Sequence, residues 1–329
     1  MTSLVTGFRP RAFLLAGALA LTAPALAGAQ ELKPGQPIRL IVALAAGGGT
    51  DVTARLIAQQ MTQNMGTTVL VENKAGGNFI PAAKEVLGSP PDGHTLYFIS
   101  TSSLITQAIH PDYPVDLLKF VAVSEVATGP LILVAKNELG VKSVRELIDL
   151  AKKNPGKVKF GVGGGVGSSL GLGTALLQTL ADININLVPY RGAMPALNDL
   201  LGGHIDAMLD AMPVMSIQAK EGKVTPLAVT GTKRSPALPN VPTMQEVGFP
   251  SFVVTGWYGM LAPPGTPPAI VQKLRDEAAK AVAPADVVKT LASQGMEPRG
   301  TQPAEYAKYL QSEFAFYSKI VKDANIKPQ

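Results

Sequence analysis

Two glycine-rich turns in this chain each join a short apolar, β-rich run to a helix-forming segment. They are residues 47–51 (Gly-Gly-Gly-Thr-Asp) and residues 163–169 (Gly-Gly-Gly-Val-Gly-Ser-Ser). The first N–H groups of a helix have no partner within the helix, and the helix dipole adds partial positive charge there. Such a turn is therefore suited to bind a small anion. One turn in each half of the chain predicts two jaws that close on the same anion.

Other polar residues follow predicted strands, at the end where open α/β sheets bind their ligands. Ser100, Thr101 and Ser102 can donate hydrogen bonds to a carboxylate or cap a helix. Arg191 can clamp a second carboxylate with two hydrogen bonds, or lie on the surface. Asp210 ends a third strand and is expected to face the same cleft. Because a buried carboxylate beside an anion is unfavourable unless it accepts a hydrogen bond, Asp210 indicates a ligand that carries a donor.

The charged residues of the first glycine turn need a separate interpretation. Asp51 lies in the first helical turn, where its carboxylate would compete with an anionic ligand. Arg55 follows at i+4 spacing and can neutralise it. We therefore expect Asp51 to orient the loop or a bound water, and Arg55 to be its structural partner. The three histidines are scattered in turns, so no metal site is expected.

The sequence partly matches the patterns of two enzyme classes. Residues 167–171 (Gly-Ser-Ser-Leu-Gly) match the Gly-x-Ser-x-Gly pattern of a nucleophile elbow with Ser169 as nucleophile, but His204 in a glycine turn is the only histidine downstream. A dinucleotide site is disfavoured because Val52 and Ser168 stand where the third glycine of Gly-x-Gly-x-x-Gly belongs. We expect no catalysis and no cofactor.

The N-terminus indicates export. Arg9 and Arg11 precede an apolar run and the small residues Ala27-Gly28-Ala29, which predicts a signal peptide over residues 1–29. Its removal lowers the formal net charge from +5 to +3, and the remaining basic residues are scattered, which argues against nucleic-acid binding. The chain has no cysteine, which excludes disulfides, thiolate catalysis and a cysteine-linked lipid anchor. These features predict a periplasmic protein that is not lipid-anchored.

Short β-rich runs alternate with helical patterns along the whole chain, which predicts an α/β fold with mixed, mostly parallel sheets covered by helices. About 300 mature residues exceed a comfortable single core, so two lobes are expected. Lobe 1 would comprise residues 31–128 plus 256–329, and lobe 2 residues 129–255. The expected strands are 38–44, 68–72, 95–100, 121–126, 130–135, 158–162, 187–190, 205–210, 225–230 and a return crossing at 252–261; the expected helices are 50–65, 79–88, 143–153, 168–181, 195–202, 213–220, 267–282 and 303–322.

Several sequence blocks, taken together, resemble the Bug proteins, the extracytoplasmic solute receptors of tripartite tricarboxylate transporters. The blocks follow the family's order through nearly the whole mature chain. They are Ala45 to Asp51 with Ala54-Arg55, Val71 to Asn78, Pro91 to Leu96, Val188 to Gly192, Asp199 to Gly203 with Asp206, Lys233 to Pro239, and Leu261 to Pro263.

The resemblance implies a two-lobed periplasmic-binding-protein (flytrap) fold in which the first glycine loop holds a ligand carboxylate, partly through ordered water. Carried over by position, the contacts would come from Ala46, Gly47, Gly48, Thr50, Ser100, Thr101 and Ser102 in lobe 1, and from Gly165, Gly167, Ser168 and Ser169 in lobe 2. Many relatives carry Thr-His where this chain has Ser169-Leu170, and Ser-Gly-Thr where it has Thr101-Ser102-Ser103. These departures leave the identity of the ligand open.

The sequence thus predicts a monomeric periplasmic solute-binding protein that captures a small carboxylate and passes it to the permease subunits of a tripartite transporter. The expected ligand is a di- or tricarboxylate or an aromatic acid. Hinge closure is expected near residues 127–131 and 253–258. The alternatives are a sensor component that presents the ligand to a membrane receptor, and a secreted serine hydrolase that uses Ser169.

Overall fold

The computed structural model describes residues 1–3, 7 and 31–323, so the predicted signal peptide lies almost wholly outside the described residues. The strands are β1 Ile38–Val42, β2 Val69–Asn73, β3 Thr95–Ser100, β4 Val121–Lys136, β5 Lys159–Gly163, β6 Asn186–Tyr190, β7 Ala207–Ala211, β8 Val224–Val229, β9 Thr255–Ala262 and β10 Glu297–Pro298. The helices are α1 Gly49–Met65, α2 Ile80–Leu87, α3 Thr101–Ile109, α4 Val144–Lys153, α5 Ser169–Ala181, α6 Ala193–Leu201, α7 Met212–Lys220, α8 Pro268–Val282, α9 Ala285–Ser293 and α10 Pro303–Asp323.

The α/β fold is two-lobed, and one long strand passes from lobe to lobe. In lobe 1 the strand order is β2-β1-β3-β9-β4, with β10 also paired to β4; in lobe 2, β4 lies between β8 and β7, and β5 and β6 follow. Strands β1, β2 and β3 are parallel, as are β5, β6 and β7. All pairs that involve β4 are antiparallel. The sheets are therefore mixed, with their parallel strands toward the outer edges.

The crossing point on β4 is defined by its change of partner. The strand pairs with β9 as far as Pro130 opposite Thr255, and with β7 from Leu131 onward. Proline has no N–H to donate to a ladder, so it is well placed where the strand changes partner. Strand β9 runs beside β4 on the lobe 1 side and is the second crossing. The lobe boundaries named above stay a prediction, since this pairing does not fix them to the residue.

Helices cover both faces of each lobe's sheet. In lobe 1, Ile57 of α1 and Leu274 of α8 are buried on one face, and Tyr306 of α10 is buried on the other. In lobe 2, side chains of β4 alternate between faces: Ile132 packs toward α6 and α7, and Leu133 toward α4 and α5. This period of two follows from strand geometry and fixes which residues point into each core. No helix in the part of the chain that is described has the length and apolar character needed to cross a membrane.

The structure differs from the sequence-based prediction in four elements, one of which is the short strand β10 that was not predicted. The predicted strands 121–126 and 130–135 form one continuous strand, β4. Residues 100–102 were predicted as a turn that follows a strand. Ser100 instead ends β3, and Thr101 and Ser102 begin helix α3, whose residues are rich in hydroxyl and β-branched side chains. Helix α9, where no element was expected, is a short helix after Pro284. Burial against the rest of lobe 1 outweighs the weak helix propensity of α3.

Candidate functional site

A cleft with a cavity volume of about 50 Å³ lies between the lobes at the carboxyl ends of their strands. Residues from both lobes and from the two crossing strands line it. They are Leu44, Gly48, Gly49, Thr50, Ser100, Thr101, Ser102, Leu131, Gly163, Ser169, Leu170, Ala193, Asp210, Ala211, Gly256, Trp257 and Tyr258. The lining therefore includes seven of the residues predicted from the sequence: Gly48, Thr50, Ser100, Thr101, Ser102, Ser169 and Asp210.

Five helices, α1, α3, α5, α6 and α7, begin at this cleft. The residues that precede α1, α3, α6 and α7 are Gly48, Ser100, Gly192 and Ala211, and among the described residues none of them provides a side-chain hydrogen bond that caps its helix. Helix α5 differs, because the hydroxyl of Ser168 accepts a hydrogen bond from the N–H of Gly171. Four helix N-termini thus face the cleft without a side-chain cap, and each adds partial positive charge there.

The first glycine turn is braced from behind by Asp51. Its carboxylate accepts hydrogen bonds of 2.9 Å from the N–H of Gly47, from Nε of Arg55 and from Nδ2 of Asn73. Burial raises the pKa of Asp51, but these hydrogen bonds outweigh burial and hold the pKa below its ordinary value of 3.8. Asn73 also donates to the carbonyl of Leu44, on the other side of the turn. The ion pair therefore fixes the loop and leaves the start of α1 directed at the cleft.

Hydroxyl groups connect the two lobes across the cleft. Oγ of Ser102 on α3 lies 2.8 Å from Oγ of Ser169 on α5, and the N–H of Ser169 donates to Ser102 Oγ at 3.3 Å. Beside them, Oγ1 of Thr106 donates to the carbonyl of Gly167 at 3.0 Å. The hydroxyl of Thr101 does not reach the other lobe in this way; it accepts a hydrogen bond from the N–H of Trp257 on the crossing strand β9. The start of α3 is thus tied both to the hinge region and to the opposite lobe.

The lobes also approach closely at their backbones. A Cβ added to Gly192 would lie 2.9 Å from Cβ of Ala45, and one added to Gly48 would lie 3.4 Å from Cβ of Ala193. The side chain of Met194 packs over Gly47 in the same way. The first glycine turn therefore faces the start of α6, while the second glycine turn faces α3. The lobes therefore touch each other on both sides of the cleft.

Asp210 is the one carboxylate among the lining residues. It is 2% exposed, its Oδ1 accepts the N–H of Ala211 at 2.6 Å, and its Oδ2 is buried with no hydrogen-bond partner in the described part of the chain. Burial raises the pKa of Asp210 to about 7, and the hydrogen bond from Ala211 only partly opposes this. Tyr258, on β9, faces it: burial and the charge of Asp210 raise the pKa of this phenol above its ordinary value of 10.

Seven of the predicted residues do not line the cleft: Ala46, Gly47, Asp51, Gly165, Gly167, Ser168 and Arg191. Gly47 has a φ of 83°, which favours glycine, and it turns the chain toward the cleft. Ser168 serves as the cap of α5, and its hydroxyl also donates to the carbonyl of Gly165 at 2.7 Å. Arg191 is exposed. Their contributions are therefore to the shape of the turns, with Arg191 outside the cleft.

Sequence reasoning missed several lining residues. The predicted helix 195–202 excludes Ala193, whereas α6 begins at Ala193, directly after Gly192. The signal was available, since glycine is a common residue at the N-cap. Trp257 is fully buried, donates a hydrogen bond from Nε1 to Glu313, and also lines the cleft.

The site carries no feature that supports hydrolysis or metal binding. Oγ of Ser169 is hydrogen-bonded to Ser102, and no histidine is among the cleft-lining residues. The described residues contain no cluster of three or more side chains that could hold a metal ion. What the arrangement offers instead is a set of N–H and O–H donors around a small volume, which is chemistry suited to binding an anion.

Several known proteins are similar to this chain. The profile of the tripartite tricarboxylate transporter family receptors matches residues 53–326. A UPF0065 protein encoded in the tcbD-tcbE intergenic region of Pseudomonas sp. strain P51 is 36% identical over 94% of this chain and 93% of its own length. BugT of Bordetella pertussis is 34% identical over 90% of this chain and 92% of its own length.

Two similar solved structures contain carboxylates. MatC from Rhodopseudomonas palustris with bound malate has a TM-score of 0.83 at 30% identity, over 88% of this chain and 100% of that one. R. palustris Rpa4515 with adipate has a TM-score of 0.86 at 31% identity, over 90% of this chain and 99% of that one.

Proposed function

Since this chain belongs to the tripartite tricarboxylate transporter receptor family, we propose that it captures a small carboxylate in the cleft between its lobes and delivers it to the permease of such a transporter. The resemblance to Bug proteins in the sequence blocks is thereby confirmed. Receptors of this family bind solutes, and similar proteins bind malate and adipate. A carboxylate ligand is therefore the chemistry on which the fold, the family and the cleft agree.

The observation that carries the proposal is the convergence of four helix N-termini without side-chain caps on one cleft. Each terminus contributes roughly half a positive charge and several N–H donors. A carboxylate can take up these donors without a lysine or arginine in the lining. Thr50, Ser100 and Ser102 add hydroxyl donors beside α1 and α3. Charge on the ligand is thus balanced by backbone dipoles, which cost no side-chain entropy when the ligand binds.

Closure of the lobes is the second part of the proposal. The contacts between Ser102 and Ser169, and between Gly48 and Ala193, are made across the cleft. We place the hinge at residues 127–131 and 253–258, where β4 and β9 run from lobe to lobe, and the lobes at residues 31–128 plus 256–329 and 129–255. A ligand that touches both lobes gains contacts only when they are closed, so it shifts the population toward the closed state.

The size of the cleft bears on which acid binds. Its volume of about 50 Å³ exceeds the roughly 10–15 Å³ that one water needs. In this conformation the cleft suits a short acid of few heavy atoms better than an aromatic one. We further propose that the protein acts in the periplasm as a monomer, exported by the signal peptide at residues 1–29.

The binding test uses the single tryptophan of the chain. Trp257 lines the cleft, so a bound ligand and lobe closure are expected to change its emission. We expect at least one acid from a panel of mono-, di- and tricarboxylates and aromatic acids to shift Trp257 fluorescence. The same acid is expected to raise the melting temperature by mass action. Failure of every acid to change either signal would contradict the proposal.

A matched pair of variants tests the role of the first glycine turn. Gly48 has φ −77° and ψ 171°, an ordinary N-cap conformation, so Gly48→Asp and Gly48→Asn are both expected to fold and to cap α1. Both side chains would occupy N–H groups that the ligand needs, but only aspartate adds a like charge. We expect affinity for the carboxylate to fall about tenfold further in Gly48→Asp than in Gly48→Asn. Equal affinities in the two variants would show that this helix terminus does not face the ligand's charge.

A further inference from the structure

Asp210 is an exception in a cleft otherwise built from donors. It lies on β7, in the middle of the lobe 2 sheet, opposite Ile132 of β4. The helix N-termini and hydroxyls around it attract negative charge, whereas its carboxylate repels it. Nothing in the described residues neutralises it, because no arginine, lysine or histidine is among the lining residues. An ionised Asp210 therefore disfavours the binding of a carboxylate that brings no hydrogen-bond donor.

The two oxygens of Asp210 are in different situations. Oδ1 is held by the N–H of Ala211 at 2.6 Å. Oδ2 is buried and has no partner in the described part of the chain. A buried acceptor that stays unpaired carries its full desolvation penalty, so such groups in folded proteins have a partner in the functional state. Asp210 belongs to the cleft lining, and a ligand in the cleft is therefore in position to supply the missing donor.

Tyr258 is the neighbouring group that offers an alternative donor. Both side chains line the same cleft, and burial and the charge of Asp210 raise the pKa of Tyr258. Its hydroxyl, however, lies 2.7 Å from where a Cβ on Gly49 would be, at the start of α1, and it makes no hydrogen bond to Asp210. Tyr258 thus stands with the donors of lobe 1 and leaves Oδ2 available in lobe 2.

We propose that Asp210 is a specificity-determining residue that accepts a hydrogen bond from the ligand, so that the receptor selects carboxylates bearing a hydroxyl or ammonium donor over the same acids without it. This inference rests on the proposed function and refines its ligand class. The carboxylate of the ligand binds the helix N-termini, and its donor binds Oδ2. Rejection of the acid without a donor follows because that acid leaves a buried acceptor unpaired and adds a like charge next to it.

The test compares matched acids on the full chain. The pairs are malate and succinate, lactate and propionate, and phenyllactate and phenylpropionate, with aspartate added to separate ammonium from hydroxyl donors. For the pair that binds, we expect wild-type protein to prefer the acid with the donor by about 10- to 100-fold, the range for a hydrogen bond to a charged acceptor. Affinities are measured by calorimetry and by Trp257 emission.

Two variants at the site and one control complete the design. Asp210→Ala is expected to reduce the preference to about threefold or less, by weakening the acid with the donor and not the other. Asp210→Asn keeps the shape, removes the charge, and is expected to lower the preference at least several-fold. Asp149→Asn, exposed on α4, is the control and is expected to retain the wild-type preference.

Two results would overturn the inference: a wild-type protein that binds both acids of a pair equally, or a preference that persists in both Asp210 variants. In either case carboxylates still bind, so the proposed function stands. If no acid in any pair, and none in the wider panel, binds wild-type protein, the proposed function fails and the inference fails with it.

Discussion

Substitution of Asp210 by asparagine is expected to stabilise the ligand-free protein relative to wild type, by an amount that grows as pH rises from about 4 to about 7. Burial raises the pKa of Asp210 from 3.8 to about 7 in the folded state. Between these two values the folded protein retains a proton that the unfolded chain releases. The free energy of unfolding therefore falls as pH rises from about 4 to about 7, and it stays low above that. Asparagine never ionises, so the variant avoids this loss.

The rise in the pKa of Asp210 sets an upper limit on how much stability the wild-type protein loses. A rise from 3.8 to about 7 corresponds to about 4 kcal/mol of unfolding free energy, at about 1.4 kcal/mol for each pH unit. The wild-type protein loses stability only up to the folded pKa of about 7, so about two pH units of this loss lie between pH 5 and pH 8.5. The stability gained by Asp210→Asn is therefore expected to grow by about 3 kcal/mol over that range. Tyr258, which faces Asp210, has its pKa raised above 10 and stays neutral throughout.

Urea unfolding followed by Trp257 emission at pH 5 and pH 8.5 measures this difference. Asp149→Asn is the control, because its carboxylate is exposed, and its stability is expected to follow that of wild-type protein at both pH values. A stability difference between Asp210→Asn and wild-type protein that is the same at pH 5 and pH 8.5 would refute the reasoning. It would mean that Oδ2 is not desolvated in the ligand-free protein.

Three further substitutions test the cleft. Gly192→Ala puts a Cβ 2.9 Å from that of Ala45, so it should hinder closure of the lobes and weaken ligand binding by about 5- to 100-fold. Gly167→Ala is the control, because its Cβ would make only ordinary contacts, and it should bind the ligand as wild type does. Equal binding by the two variants would argue against closure at this contact. Ser169→Ala loses the hydrogen bond to Ser102 and should weaken ligand binding by about 2- to 10-fold. Its rate of ester hydrolysis should equal the background rate of wild-type protein. An esterase activity that is present in wild type and lost in this variant would favour a serine hydrolase. Arg191→Ala should change affinity by less than about twofold, because Arg191 is outside the cleft lining; a large loss in calorimetry would restore it as a clamp.

The elements of the fold were predictable where local patterns and tertiary packing agree. Helix α1 was expected at residues 50–65 and is Gly49–Met65, with Gly66 ending it in a left-handed conformation. Helix α3 was missed, because its hydroxyl and β-branched residues disfavour a helix locally. Its helical state comes from burial against neighbouring elements, which a local pattern does not contain.

The site was predictable in its parts and not in its pairings. Ser100 and Asp210 were expected at the cleft because they end strands, and Thr50 was expected there from the resemblance to the Bug proteins; all three line it. The two glycine turns were expected to close on each other around one anion. Instead, the first turn faces Ala193 on α6, and the second turn faces α3. Contacts between lobes depend on how β4 and β9 cross, and such contacts join residues far apart in sequence. The roles of Trp257 and Tyr258 in the lining arise from the same crossing.

Binding of a carboxylate at the uncapped N-termini of helices between the two lobes can be observed in a crystal structure. The crystals should contain the acid that gives the protein its largest stabilisation. We expect the carboxylate oxygens of the ligand to lie within about 3 Å of N–H groups at the starts of α1, α3 or α6, or to reach them through one water. A ligand bound outside this cleft, or one whose carboxylate is held by an arginine or lysine side chain, would contradict it.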